Sequence, residues 1–168
     1  MNKRTFTSVV VMMVLGVGAC LISSQFHRDQ RNHDLCLAAS QGDTRAVERL
    51  LKQGANPNAV GSIGDTECNC EENPSPAPAI VLAIYQTSGD HQEHFDTVAA
   101  LLKAGADVNA KGNAGLTALM WASSPRMVKY LVAHGADVNL KNDFGETALT
   151  QSGVNPEIKR LLIQAGAH

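Results

Sequence analysis

The stretch that decides the fold runs from Leu101 to Asn109 and reads Leu-Leu-Lys-Ala-Gly-Ala-Asp-Val-Asn. Close copies begin at Leu50 and Leu131, and a fourth begins at Leu161 and reads Leu-Leu-Ile-Gln-Ala-Gly-Ala-His to the last residue. The glycines at the centres of the four copies are 51, 30 and 31 residues apart. A unit that recurs every 20 to 50 residues or so is typical of stacked repeat proteins. The sequence therefore predicts a solenoid of similar units.

Each copy follows a segment with the apolar spacing of a helix. Val98, Leu101 and Leu102 form such an apolar stripe ahead of the second glycine. A glycine at this point ends a helix, because it adopts the left-handed conformation without steric cost. Pro125 and Pro156 stand where the second helices of the last two units should begin, and proline is tolerated only in the first turn. The pattern predicts paired helices joined by turns.

A second motif carries a family resemblance. The segment 115–123 reads Gly-Leu-Thr-Ala-Leu-Met-Trp-Ala-Ser, and 145–149 reads Gly-Glu-Thr-Ala-Leu. In the first unit, 35–43 reads Leu-Cys-Leu-Ala-Ala-Ser-Gln-Gly-Asp. From Asp34 to His168 the chain resembles the ankyrin-repeat family, whose units carry Gly-x-Thr-Pro-Leu-His-x-Ala-Ala. The resemblance implies an all-α solenoid of about four helix-turn-helix units with short β-hairpin-like tips. It also implies that the side bearing the hairpin tips binds protein partners.

The repeats and the N-terminus give a predicted domain organisation. It comprises a signal peptide over 1–19, a polar tether over 20–33, and four units over 34–60, 61–110, 111–140 and 141–168, the last being a C-terminal cap. The second unit is long. Residues 61–66 fit the hairpin, with Thr66 in the place of the threonine that starts the first helix, and the helical pattern resumes at Ala79. The sequence therefore predicts an insertion over 67–78, at the junction of hairpin and helix.

The N-terminus has the layout of an export signal. Lys3 and Arg4 precede an apolar run from Val9 to Val17, and the small residues Gly-Ala lead into Cys20. The segment 17–20 resembles a bacterial lipobox, which implies cleavage before Cys20 and attachment of acyl chains such as palmitate to it. We expect a lipoprotein facing the periplasm. Resemblance to enteric lipoproteins favours the outer membrane, because Leu21 follows the cysteine in place of the Asp associated with inner-membrane retention. The alternatives are an uncleaved inner-membrane signal anchor and a soluble periplasmic protein.

Composition and motifs favour binding over catalysis. The chain has 14 Lys and Arg against 16 Asp and Glu, so no basic patch suited to nucleic acid is expected. It contains no phosphate-binding glycine loop and no zinc-protease motif. We predict a non-catalytic protein-binding module that needs no cofactor and no small-molecule substrate. One hypothesis is an immunity-type protein against a secreted toxin such as a phospholipase; the other is a scaffold or accessory factor for a periplasmic enzyme, for example in stress defence. An enzyme is the remote alternative.

Candidate contact residues lie in the hairpins and in the insertion. The insertion has three acidic residues, three prolines and no basic residue, so it is suited to meeting a basic partner. The predicted contact residues are Ile63, Asp65, Glu67, Glu71, Glu72, Leu116, Phe144 and Glu146. The alternatives are a solvated loop and, for Phe144, an apolar tip that packs on its neighbour. Trp121 is predicted to pack on the neighbouring first helix, and the alternative is an exposed binding anchor.

Three cysteines remain if the first is lipidated. Export favours one disulfide among Cys36, Cys68 and Cys70, and the pairing stays open. A Cys68–Cys70 bond would close a strained ring, and Cys36 reads as a small buried residue. With His91 and His94, Cys68 and Cys70 supply zinc-ligand types, but the spacing is unspecific. We therefore predict no metal site, with both histidines solvated in a long turn.

Overall fold

The computed structural model describes residues 19–62, 76–85, 92–151 and 155–168, and the described part is mostly helical. Its α-helices are α1 (Ala19–Gln41), α2 (Thr44–Lys52), α3 (Ala79–Tyr85), α4 (Gln92–Lys103), α5 (Ala118–Trp121), α6 (Pro125–Ala133), α7 (Ala148–Gln151) and α8 (Pro156–Gln164). A short two-stranded sheet, β1 (Val60–Ser62) and β2 (Pro76–Pro78), precedes α3. Each unit thus contributes a first and a second helix, as predicted.

The helices form two layers with the core between them. The first helices α1, α3, α5 and α7 pack side by side, and α2, α4, α6 and α8 pack behind them. The layers meet through fully buried aliphatic side chains from both sides, which include Leu35, Ile80, Leu82, Leu101, Leu131 and Leu162. Small residues such as Ala39, Ala83 and Ala118 are fully buried where helices approach closely. We call the two surfaces the first-helix face and the second-helix face.

The second helices α6 and α8 begin at the predicted prolines, and all four second helices end at the predicted glycines, whereas α4 begins at Gln92, within the predicted long turn. Asp43, Ser124 and Asn155 are N-caps whose side chains accept hydrogen bonds from backbone amides of the first turn. The prolines of α6 and α8 lie in the first turn. The glycine after each second helix has a positive φ, from +86° to +95° across the four units. These glycines end the helices in the left-handed conformation.

The Asn that closes each repeated motif forms a hydrogen-bonded ladder between units. Asn109 accepts a hydrogen bond from the Asp137 amide (2.8 Å) and donates one to the Gly135 carbonyl (3.2 Å). Asn58 does the same to Asp107 and Gly105, and Asn139 to His168 and Gly166. The motif Gly-Ala-Asp-Val-Asn therefore joins neighbouring units, and its recurrence reflects stacking rather than the recognition of a target.

The segment 20–33 differs from the predicted tether because it is helical and continuous with the first repeat helix. No glycine or proline interrupts α1 between Ala19 and Gln41, so nothing in the chain breaks the helix there. Asn32 accepts a hydrogen bond from the Asn56 amide at 2.9 Å, which extends the ladder to α1. None of the helices within the described residues is both long and apolar enough to cross a membrane.

The insertion in unit 2 lies at a different place from the predicted one. Val60 pairs with Pro78 across β1 and β2, as Lys111 pairs with Thr117 in unit 3. Pro78 thus takes the place of Thr117, and a helix starts at the next residue in both units. Seventeen residues lie between Val60 and Pro78, and five lie between Lys111 and Thr117. The chain between the paired residues is therefore 12 residues longer in unit 2 than in unit 3. The prediction that residues 67–78 separate the hairpin from the helix was wrong, because Pro76–Pro78 form the second strand of the hairpin. The sequence did not indicate this, since Pro78 stands where unit 3 has Thr117.

Candidate functional site

A groove on the first-helix face separates unit 2 from the hairpin of unit 3. It has a volume of about 390 Å³. Its lining is mainly apolar and consists of Ala77, Val81, Leu82, Tyr85, Asn113, Leu116 and Trp121. Concave apolar surfaces with a few polar groups are the usual form of binding sites. The groove is therefore the candidate functional site.

Two aromatic side chains stand at one end of this groove. Tyr85 is the last residue of α3 and Trp121 the last residue of α5. Their ring centroids are 4.7 Å apart and the rings are nearly perpendicular, at 84°. Tyr85 is 48% exposed and Trp121 is half-buried. An edge-to-face pair fixes both rings while leaving apolar surface accessible.

The close approach of the unit 3 hairpin forms the opposite wall. A Cβ atom added at Gly112 would lie 3.3 Å from the side chains of both Ala77 and Val81, so only glycine allows this contact without displacement. The hairpin then turns through the short 3₁₀ segment Asn113–Gly115, and the turn leaves Asn113 and Leu116 lining the groove. A hydrogen bond from the Asp143 amide to the Ala114 carbonyl (3.0 Å) ties this tip to the tip of unit 4.

The tip of unit 4 presents a second exposed aromatic side chain. Phe144 is 76% exposed. The side-chain oxygen Oδ1 of Asn142 accepts hydrogen bonds from the Phe144 and Glu146 backbone amides, at 3.0 and 2.8 Å. The Asn142 amide also donates to the Glu146 carboxylate at 2.9 Å. Phe144 is thus held in solvent by an ordered turn rather than packed on a neighbouring tip.

The structure describes the other predicted site residues in part. Leu116 lines the groove and is half-buried, and Glu146 is exposed. Trp121 packs on the neighbouring first helix, as predicted, and also lines the groove. Cys20 lies in the first turn of α1. Ile63, Asp65, Glu67, Glu71 and Glu72 lie outside the described residues; the strands that flank this segment pair with each other and lead to Ala77 in the groove.

The cysteine and histidine predictions have mixed outcomes. Cys36 is a buried free thiol, and desolvation by burial raises its pKa from 9.0 to about 11. Cys68, Cys70 and His91 lie outside the described residues. His94 is not a solvated loop residue, because α4 begins at Gln92 and the His94 ring lies against Gly42, with Nδ1 3.2 Å from the Ala83 carbonyl. Among the described residues, no cluster of three or more His, Cys, Asp or Glu could hold a metal ion.

Tyr85 was missed by sequence reasoning. It directly follows the continuously apolar segment 79–84, which is buried throughout. Because every residue of that run is apolar, the period that separates the buried side of a helix from its exposed side is absent. The sequence feature that could have identified Tyr85 is its position: a tyrosine, which is aromatic but carries a polar hydroxyl group, directly follows the apolar run. Such residues are enriched where one end of the side chain is apolar and the other wet.

Stacked helix pairs with an apolar groove and exposed aromatic tips define a solenoid repeat protein that acts by binding. The family model for ankyrin repeats, in three copies, matches residues 35–142 and 80–168. The chain belongs to the ankyrin-repeat family. Ankyrin repeats form protein–protein interaction modules and are typically non-catalytic. No curated protein matches the chain significantly.

Proposed function

We propose that this protein binds one specific protein partner through the apolar groove that has Tyr85 and Trp121 at one end. The observation that carries the proposal is the edge-to-face pair of exposed Tyr85 and half-buried Trp121 at an apolar groove on the first-helix face. Tyrosine and tryptophan contribute disproportionately to the free energy of protein association, because they bury large apolar areas at small entropic cost. Asn113 adds a polar group at the opposite wall, where it can fix the orientation of the partner.

Affinity capture from the bacterial envelope, followed by titration of the captured protein, tests this site. Replacing Tyr85 with alanine should weaken binding about 30-fold, since an interfacial aromatic anchor contributes about 2 kcal/mol. Tyr130 is the matched control, because it is also a half-buried tyrosine but lies on the second-helix face. If Tyr130→Ala weakens binding as much as Tyr85→Ala, or if neither does, the groove is not the binding site.

We propose further that a lipid on Cys20 anchors the protein in the bacterial envelope, favouring the outer membrane, with the repeats facing the periplasm. The support is the sequence of a positive head, an apolar run and a lipobox-like segment. Several acyl chains anchor stably, since each buried methylene contributes about 0.8 kcal/mol. Cys20→Ser should abolish metabolic labelling with palmitate and release the protein from membranes. Unchanged labelling would exclude lipidation at this residue.

Within the envelope, we propose an immunity-type role, in which the protein neutralises a secreted toxin such as a phospholipase. The acidic residues of the unit 2 hairpin support it, because charge of one sign accelerates encounter with an oppositely charged protein. Neutralising Glu67, Glu71 and Glu72 to glutamine should slow association at low salt and leave the dissociation rate nearly unchanged. These substitutions spare Pro76–Pro78, whose removal would take away β2.

The activity of the captured partner distinguishes this role from the alternative. A toxin whose activity falls on adding the repeat protein supports neutralisation. A periplasmic enzyme whose activity is maintained or raised would contradict neutralisation and favour a scaffold or accessory factor.

A further inference from the structure

We propose that α2 of unit 1 binds anionic phospholipid headgroups and holds the first unit against the membrane surface. This inference rests on the proposed envelope anchoring and adds a second membrane contact to it. The contact surface is the basic stripe, defined as Arg45, Arg49 and Lys52.

The basic stripe lies on the side of α2 that faces solvent. Its residues are spaced by four and three positions, which places them within about 60° of one another around a helix with 100° per residue. Val47 and Leu50 lie on the opposite side and are buried, whereas all three basic side chains are exposed. Within the described part of the chain, no carboxylate pairs with any of the three. The stripe therefore presents three positive charges to solvent, and Glu48, at its margin, is the one acidic residue of α2.

Stabilisation of the helix does not account for the whole stripe. Arg49 and Lys52 lie in the last turn, where positive charge interacts favourably with the helix dipole. Arg45 lies in the first turn, where the same dipole disfavours a positive charge. Glu48 lies at the margin of the stripe. It also lines a cleft on the second-helix face, together with Lys103 and Tyr130. The helix dipole therefore does not account for Arg45, whereas contact of the basic stripe with a partner outside the repeat stack does.

The position of the stripe fits a membrane as that partner. The continuous helix α1 connects Cys20 to the first unit, and the 12 residues from Cys20 to Asn32 span about 18 Å at 1.5 Å per residue. Arg28 is exposed on this projecting part of α1. Cys20 lies at the far end of the same helix, so a membrane anchor there keeps unit 1 as the repeat nearest the lipid.

The distribution of charge along the chain favours the same orientation. Residues 27–58 contain five Lys or Arg and four acidic residues, whereas residues 59–168 contain seven and twelve. Anionic lipids attract basic segments within a Debye length, with about 1 kcal/mol for each Lys or Arg at the surface. They repel the acidic remainder, which directs units 2 to 4, and the groove with them, away from the membrane.

The test measures contact at Lys52 directly. The full chain is incorporated into vesicles of phosphatidylcholine, with or without phosphatidylglycerol, and the acylation rate of individual lysines is followed by mass spectrometry. Lys52 should react several-fold more slowly in the vesicles that contain phosphatidylglycerol, and high salt should restore its rate. Lys129, which is exposed on the second helix of unit 3, serves as the internal control and should react at the same rate in both.

A pair of matched variants separates local contact from net charge. R45Q/R49Q keeps Lys52 as the reporter and should abolish its protection, since each lost charge weakens headgroup binding about fivefold. K103Q/R160Q removes the same charge from units 2 and 4 and should leave the protection intact. Equal acylation of Lys52 in both vesicle types, or equal effects of the two variants, would overturn the proposal.

Flotation with neutral vesicles reports the lipid anchor separately, so failure of the anchor and failure of the stripe give different results. Protection of Lys52 by an acidic protein from the envelope, with none from phosphatidylglycerol, would identify a protein partner and exclude the membrane contact.

Discussion

Asn109 joins unit 2 to unit 3, and its replacement by alanine should weaken the whole stack. The side chain accepts one hydrogen bond from the Asp137 amide at 2.8 Å and donates one to the Gly135 carbonyl at 3.2 Å. Each such bond contributes about 1 kcal/mol net, since the freed groups regain water at this half-buried position. We therefore expect Asn109→Ala to lower the free energy of unfolding by about 2 kcal/mol, and the melting temperature by about 4 to 8 °C.

Urea unfolding followed by circular dichroism measures this loss. Because the stability of a repeat protein is a sum of unit terms and neighbour terms, weaker coupling between units 2 and 3 should also broaden the transition. Asn113→Ala is the matched control, as it removes the same side chain from an exposed position at a hairpin tip. If the two variants unfold at the same urea concentration, the ladder does not stabilise the stack and the reasoning is refuted.

Four further measurements test the packing. Gly61→Ala would place a Cβ 2.5 Å from the Cys36 Cβ and should cost about 1 to 3 kcal/mol in urea unfolding, whereas Gly54→Ala meets no atom within 4 Å and should cost about 1 kcal/mol through its positive φ alone. Because Cys36 is buried and its pKa rises from 9.0 to about 11, a thiol reagent should modify it at least about tenfold more slowly in the folded than in the unfolded chain below pH 9. The same shift makes the free energy of unfolding fall between pH 9 and 11, because the Cys36 thiol ionises in the unfolded chain before it does in the folded chain. An equal fall in a Cys36→Ala variant would contradict this. Leu131→Ala should cost about 2 to 5 kcal/mol, against less than about 0.5 for the exposed Ile163→Ala.

Features set by neighbouring residues could be predicted from the sequence. The glycine after each second helix, the capping residue Asp43 and the prolines at the starts of α6 and α8 depend on contacts within one turn of backbone. Such contacts are fixed by residue type and spacing. The repeated helix pairs and the family could therefore be predicted from the sequence alone. The ladder residues Asn58, Asn109 and Asn139 were visible as a motif, although their hydrogen-bonding role was not.

The candidate site depended on distances that the sequence does not contain. Tyr85 and Trp121 are 36 positions apart and meet only because α3 and α5 are neighbours in the first-helix layer. Pro78 takes the position of Thr117 only once strand pairing is known, which is why the insertion was predicted at the wrong point of unit 2. His94 was placed in a solvated turn because nothing local indicates that α4 begins at Gln92.

The stack of helix pairs could be predicted from residue type and spacing, since helix ends and apolar stripes are short-range properties that each unit repeats. Which side chains remain available to a partner depends on contacts between units. Burial depends on what packs on each residue from another unit: Phe144 is exposed on an ordered tip, whereas Leu131 is buried in the core. The groove depends on how the units stack, because its walls come from unit 2 and from the hairpin of unit 3.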